Sequence, residues 1–304
     1  MKLLLTGAGG MVGRNLQAHP LFRDLHILAP RRAELDLFDG TAVRRYLQEH
    51  RPDVILHGAA KVGGIEANRK ANGTFLAENA LLALNVIQGA RELGIPRLLN
   101  LASSCMYPRD HEDLLRVEDL LTGPLEPTNE GYALAKLLSL RLTQFATRES
   151  GLSYKTIIPS NLYGPWDKFD PLNAHLIPSV LRKAHEAKLQ GGPLEIWGDG
   201  TARREFLYVD DLLRFIHLAL HRWEELPEVL NVGYGSDFSV KDYYRMACKE
   251  LGFEPEFRFD LDRPSGMKRK LMDSSQAFAL GWTPEVPPAE GMARTYRHFL
   301  EHAR

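Results

Sequence analysis

Tyr132 and Lys136 stand four residues apart in a segment with a helical pattern, so a phenol and an ammonium share one helix face about a turn apart. A neighbouring cation favours the phenolate, which predicts a Tyr132 pKa below its reference of about 10 and a usable acid or base near neutrality. The spacing alone is common on helices. Ser103-Ser104-Cys105 gives it weight, because these residues follow the fourth strand-like run, and a parallel sheet takes its ligand at the carboxyl ends of its strands. A serine there can hold a substrate carbonyl for the tyrosine to protonate. A second constellation, Gly7-Ala8-Gly9-Gly10-Met11-Val12-Gly13, follows the first strand and opens the first helix. Gly7 permits a tight turn, Gly10 lets backbone approach a pyrophosphate, Gly13 allows close helix packing, and the helix N-terminus supplies N–H donors. At the end of the second strand, where an NAD site usually carries an acid, the chain reads Ala29-Pro30-Arg31-Arg32. Two guanidinium forks there suit a 2′-phosphate and predict NADPH rather than NADH. Asp36 could turn toward the adenine or simply begin a turn.

The elements that must position these groups alternate through the first half of the chain. Strands are expected over 2–6, 25–29, 54–58, 97–102 and 154–158, and helices over 11–18, 39–49, 74–93 and 130–149. Val43, Tyr46 and Leu47 repeat at the spacing of one buried helix face. Right-handed crossovers would wind these units into a Rossmann-like, doubly wound parallel sheet of the α/β class. Beyond Pro159 the alternation fails, so residues 1–160 are expected to form the nucleotide-binding domain. Residues 161–304 should form mainly a smaller mixed α/β substrate lobe, with some exchange of chain between the two.

Bulk properties remove several function classes. At 44% hydrophobic and 25% charged residues over 304 positions, the chain has material for a core and is neither disordered nor fibrous. Lys plus Arg number 38 against 39 for Asp plus Glu, a net charge of −1, so no general basic field favours nucleic acid or an anionic membrane. No apolar run reaches the roughly 18 residues of a membrane span, and the apolar start at Leu3 is broken by glycines before a signal-peptide core forms. Two cysteines, Cys105 and Cys248, fit a reducing cytoplasm rather than a disulfide framework, and Cys248 reads as a packing residue. His217 and His221 are four apart on a helix without a third ligand, so no metal is expected.

The glycine loop, the serine after strand four and the Tyr132-to-Lys136 helix together resemble the extended short-chain dehydrogenases/reductases, a family of nucleotide-sugar enzymes. Ala60-Lys61-Val62-Gly63-Gly64-Ile65, Ser103-Ser104-Cys105-Met106-Tyr107-Pro108, Asn129-Glu130-Gly131-Tyr132, Asn161-Leu162-Tyr163-Gly164-Pro165, His175-Leu176-Ile177-Pro178 and Arg204-Glu205-Phe206 are similar to its branch acting on GDP-linked 4-keto-6-deoxy sugars. The resemblance extends to Lys270-Leu271-Met272-Asp273. It implies a reductase triad of Ser103, Tyr132 and Lys136, and an epimerase pair of Cys105 and His175. It further implies sugar-nucleotide contacts at Lys183, Trp197 and Arg204, and NADPH contacts at Leu101 to Ser104, Lys136, and Pro159, Asn161 and Leu162. A homodimer joined through helices 74–93 and 130–149 is also implied. Two positions depart from the branch: Ser265 replaces a common Asp, and Ala8-Gly9 lacks a basic residue found in some members, which shifts 2′-phosphate binding toward Arg31 and Arg32. Two other outcomes stay open. One is a related GDP-keto-sugar enzyme, such as one taking the 3,6-dideoxy analogue to GDP-colitose or one reducing C4 without both inversions. The other is a non-catalytic NADP-binding sensor.

Overall fold

Leu3, Leu4 and Leu5 point alternately to the two faces of a strand, yet all three are buried, which marks a strand covered on both sides. The computed structural model describes residues 1–302 except 112, 172 and 264–266, so Ser265 lies outside the described residues. In the first half of the chain the elements are β1 (Lys2–Thr6), α1 (Met11–Ala18), β2 (His26–Leu28), α2 (Gly40–His50), β3 (Val54–His57), α3 (Ile65–Glu92), β4 (Arg97–Leu101), α4 (Glu130–Ser150) and β5 (Ser153–Pro159). The second half adds β6 (Asn161–Tyr163), α5 (Leu176–Gln190), β7 (Leu194–Trp197), β8 (Arg203–Arg204), β9 (Phe206–Tyr208), α6 (Val209–His221) and β10 (Val229–Val232). It ends with β11 (Phe238–Ser239), α7 (Val240–Leu251), β12 (Phe257–Asp260), β13 (Arg269–Lys270), α8 (Ser275–Ala279) and α9 (Pro288–His302).

The main sheet has six parallel strands in the order β2-β1-β3-β4-β5-β10. Strand order reverses between β1 and β3, and the loops leaving those two strands flank the crevice where such sheets bind nucleotides. One face packs Leu4 and Ile55 against Val43 and Leu47 of α2 and Val86 and Ile87 of α3. The other packs Leu3 and Leu5 against Leu16 of α1 and Leu212 and Ile216 of α6. The chain therefore returns after residue 160 to cover one face with α6 and to supply the edge strand β10. A separate core joins α5, α7 and α9 around Leu181, Tyr243, Cys248 and Met292, which places Cys248 among packing residues. Small sheets β11-β8-β13, β12-β7 and β6-β9 border it.

One helix differs from expectation. The apolar periodicity begins at Thr74, whereas α3 begins nine residues earlier at Ile65 and is kinked at Ala71, with φ −142° and ψ 34°. Tertiary contacts, rather than an apolar stripe, organise this first segment. Asn68 Nδ2 donates to the carbonyls of Gly63 and Gly64 at 2.7 and 3.0 Å, and Asn72 binds the Pro127 carbonyl and the Gly131 N–H at 3.0 and 2.9 Å. A Cβ on Gly131 would lie 2.1 Å from the Asn72 carbonyl, so only glycine lets α4 begin this close to the bend.

Candidate active site

A cavity of about 980 Å³ opens along the carboxyl ends of β1, β3, β4 and β5, roofed by the second half of the chain. Its first wall is backbone. Gly7 adopts φ +78°, and a Cβ there would sit 2.8 Å from Ala59 N; a Cβ on Gly13 would sit 2.5 Å from the Gly7 carbonyl. Both positions therefore require glycine for reasons internal to the fold. Gly10 meets only the Gly7 carbonyl, at 3.3 Å, and caps α1 without any side-chain hydrogen bond, leaving the first N–H groups of the helix open to the cavity. Gly7, Gly10, Met11, Val12, Gly13, Leu101, Pro159, Asn161 and Leu162 all line this space.

The residues of the second constellation meet farther along it. Ser103, Cys105, Tyr132, Lys136 and His175 line the same cavity, although they arise from the β4 loop, α4 and the segment before α5. Lys136 is buried and its Nζ donates to the Leu101 carbonyl at 2.8 Å, 5.7 Å from the Tyr132 ring centre. Burial lowers the Lys136 pKa to about 8. The expected depression of the Tyr132 pKa is not found: burial raises it, and the nearby Cys105 pushes in the same direction. Desolvation of the phenolate decides the shift, and the phenol rests protonated.

Cys105 and His175 rest neutral for the same reason. Burial raises the thiol pKa, opposed by Lys270, the Ser103 hydroxyl and Lys136; His175 stands exposed on the cavity wall, where desolvation and then the Lys168 cation lower its imidazole pKa. Backbone geometry holds the cysteine, whose N–H donates to Ser103 Oγ at 3.4 Å.

The far wall carries charge. Lys183 Nζ lies 5.1 Å and Arg263 Cζ 5.0 Å from the Trp197 ring centre, while Trp197 Nε1 donates to Glu195 at 3.0 Å. An indole with two cations beside it can stack on a base near phosphate-binding groups. Lys183, Trp197 and Arg204 all line the cavity, and burial lowers the Arg204 pKa. Glu205 braces this wall from behind: one carboxylate oxygen accepts from Gly235 N at 2.7 Å and the other from Met272 N at 3.2 Å. Asp237 joins Arg203 to Arg269 at 2.8 and 2.6 Å, tying β8 to β13.

Three expected cofactor contacts fall outside the lining. Ser104 is buried behind the cavity, and Arg31 and Arg32 are exposed beyond it. Arg32 Cζ sits 5.2 Å from the Phe38 ring and its Nε 4.0 Å from Asp36, which in turn accepts from Phe38 N at 3.1 Å, so Asp36 closes a turn. Sequence reading missed Lys270 and Asp167. Lys270 lines the cavity with its pKa lowered to about 8 by burial, and Cys105 is the strongest charge influence on it. It stands on a two-residue strand that no periodicity reveals; its only signal is its place in the quoted Lys270-to-Asp273 run. Asp167 follows the Gly164-Pro165 turn, and burial raises its pKa to about 7.

The pocket fits a dinucleotide on structural grounds. Besides the glycine cradle and the uncapped helix, four buried polar atoms on its lining residues lack a hydrogen-bond partner: Asn68 Oδ1, Asn129 Oδ1, Ser160 Oγ and Asp167 Oδ2. Residues 3–233 match the NAD dependent epimerase/dehydratase family. The chain belongs to that family. The chain is 45% identical over 302 residues to the GDP-L-colitose synthase of Yersinia pseudotuberculosis, covering 99% of this chain and 98% of that one. It is also 45% identical over 300 residues to the GDP-L-fucose synthase of Azorhizobium caulinodans, covering 98% and 96%. A solved GDP-mannoheptose C4 reductase from Campylobacter jejuni with NADP bound superposes with a TM-score of 0.87 at 28% identity, over 98% of each chain. Among the described residues, no helix is long and apolar enough to cross a membrane.

Proposed function

We propose that this chain is an NADPH-dependent epimerase/reductase that converts GDP-4-keto-6-deoxy-D-mannose to GDP-L-fucose. The observation that carries the reading is the meeting of Ser103, Cys105, Tyr132, Lys136 and His175 on one cavity that also bears the glycine loop and the Lys183, Trp197 and Arg204 wall. The GDP-L-fucose synthase likeness over nearly the whole chain supports the same substrate class. NADPH, when bound, supplies hydride for the sugar's C4, and the residues suited to hold it are Gly7, Gly10 to Gly13, Leu101, Pro159, Asn161 and Leu162. Arg31 and Arg32 stand ready outside the cavity for a 2′-phosphate.

The chemistry requires two kinds of proton movement. A C4 ketone acidifies the protons on C3 and C5, so removal from one face and return to the other inverts each centre. His175 rests with a free lone pair and Cys105 with a proton. Cys105 takes a proton from carbon only as the thiolate and His175 returns one only as the imidazolium, so the reactive pair, with the same number of protons, has the thiol proton moved to the imidazole; Lys270, the Ser103 hydroxyl and Lys136 oppose the burial penalty on that thiolate. Ser103 holds the C4 carbonyl oxygen, and Tyr132, kept protonated by burial, donates to that oxygen as it gains negative charge. Lys136 positions the phenol and meets the charge left on it.

A second reading has a specific observation behind it, the equal 45% identity to the GDP-L-colitose synthase. In that case the substrate lacks a C3 hydroxyl. Both are tested by incubating the protein with NADPH and either keto-sugar in D₂O and following the product by NMR. GDP-L-fucose with deuterium at C3 and C5 is expected; preferential turnover of the 3,6-dideoxy sugar selects the second reading. Reduction without deuterium uptake rejects the epimerase assignment, and absence of turnover with every keto-sugar leaves a non-catalytic NADP sensor. Cys105→Ser is expected to slow deuterium uptake by about a hundredfold while NADPH still binds. Full-rate uptake in that variant would remove Cys105 from the pair.

A further inference from the structure

The last turn of α9 brings His298, Glu301 and His302 onto one face at spacings of three and four. One ligand atom from each, two imidazole nitrogens and a carboxylate oxygen, lies within 4.8 Å of the others. Among the described residues, no other group of three His, Cys, Asp or Glu side chains comes together in this way. We propose that these three residues form a binding site for a borderline divalent cation such as Zn²⁺ or Ni²⁺ at the rim of the cavity.

Four features favour an ion here. Imidazole and carboxylate together suit Zn²⁺, Ni²⁺ and Cu²⁺ rather than Mg²⁺ or Ca²⁺, which prefer all-oxygen shells. His302 Nδ1 lies 2.9 Å from the His298 carbonyl, a contact that requires Nδ1–H as donor and leaves Nε2 with its lone pair for a metal. The rings are held in place: they stack on each other at 4.0 Å and 24°, and Trp166 packs its edge against them at 4.5 and 4.8 Å. The unpaired carbonyls at a helix C-terminus carry partial negative charge, which adds to the attraction for a cation.

The pair His217 and His221 provides an internal control. It has the same spacing, a ring separation of 4.3 Å and the same kind of carbonyl contact, at 2.8 Å, but no third ligand among the described residues joins it. The site's position has a structural consequence. His298 and His302 line the cavity, and Trp166 and Phe169, which pack on α9, belong to the same loop that leads to His175. An ion would stiffen the end of α9 under that loop.

The test is calorimetric titration of the whole protein with ZnCl₂ and with NiCl₂ in metal-free buffer. One equivalent per chain is expected, and Cys105→Ser, which removes the other zinc-seeking group of the cavity, should leave it unchanged. His302→Ala, an exposed substitution, is expected to weaken binding by about tenfold or more, and His298→Ala with His302→Ala to abolish it. Circular dichroism and a melting curve without metal establish that each variant is folded. Absence of stoichiometric binding, binding unaltered in the folded His302→Ala protein, or binding that disappears with Cys105 would each overturn the proposal.

Discussion

The two walls of the cavity are built by opposite means. The nucleotide wall is backbone, fixed by glycines at which a Cβ would collide with neighbouring main chain and by a helix start with no side-chain cap. The sugar wall is side chain: an indole beside two cations, a half-buried arginine and a half-buried lysine gathered from α5, β7, β8, the loop after β12, and β13. A wall of backbone is specified within a few residues and tolerates no addition. A wall of side chains depends on distant segments arriving together, and its residues can be exchanged one at a time, which leaves room for different sugars on one scaffold.

Substitutions should separate the walls, and the largest effect belongs to the group between them. Tyr132→Phe is expected to lower C4 reduction by about a thousandfold, measured as NADPH oxidation, while deuterium exchange at C3 and C5 continues. Gly13→Ala forces a Cβ to within 2.5 Å of the Gly7 carbonyl. It should cost about 3 kcal/mol of stability, as severe overpacking does, and abolish NADPH binding; a folded variant that binds NADPH normally would refute the backbone account. Lys136→Met should end reduction yet stabilise the ligand-free protein by about 1 to 3 kcal/mol at neutral pH. The sign follows from a folded-state pKa of about 8, below the ordinary 10.5: the native state resists a charge that the unfolded chain accepts. The penalty is full below pH 8 and fades as pH rises toward 10.5, so melting curves of the variant and the parent should converge across that range. Trp197→Ala should raise the KM for the GDP-sugar about tenfold, through lost stacking, and leave NADPH affinity unchanged.

The same contrast explains what the sequence made legible. β1 and α1 occupy the expected residues, and α2, β3 and β4 lie within a residue or so of expectation, because apolar runs and caps such as Asp39, which accepts from Thr41 and Ala42 N, act locally. The start of α3 was hidden because Asn68 and Asn72 secure it through contacts with loops and with α4, and such contacts leave no apolar period. The sign of the Tyr132 shift was missed for a related reason. Spacing reports that a cation is near, whereas the pKa depends on how much water the fold removes, and Lys136 spends its hydrogen bond on Leu101. Arg31 and Arg32 were legible as cations, but their exposed placement beyond the cavity was not.

Glu205 fixes how the two walls are joined. Its carboxylate grips Gly235 N, just past β10 of the main sheet, and Met272 N, just past β13 of the small sheet that carries Lys270, while Asp237 rivets β13 to β8. A Cβ on Gly233 would lie 2.3 Å from the same carboxylate, so the joint has no slack. The sugar wall is thereby riveted to the nucleotide sheet as a single anvil, whereas His175 reaches the cavity from the stretch between β6 and α5, which turns at Gly164 with φ +155° and takes no part in that joint.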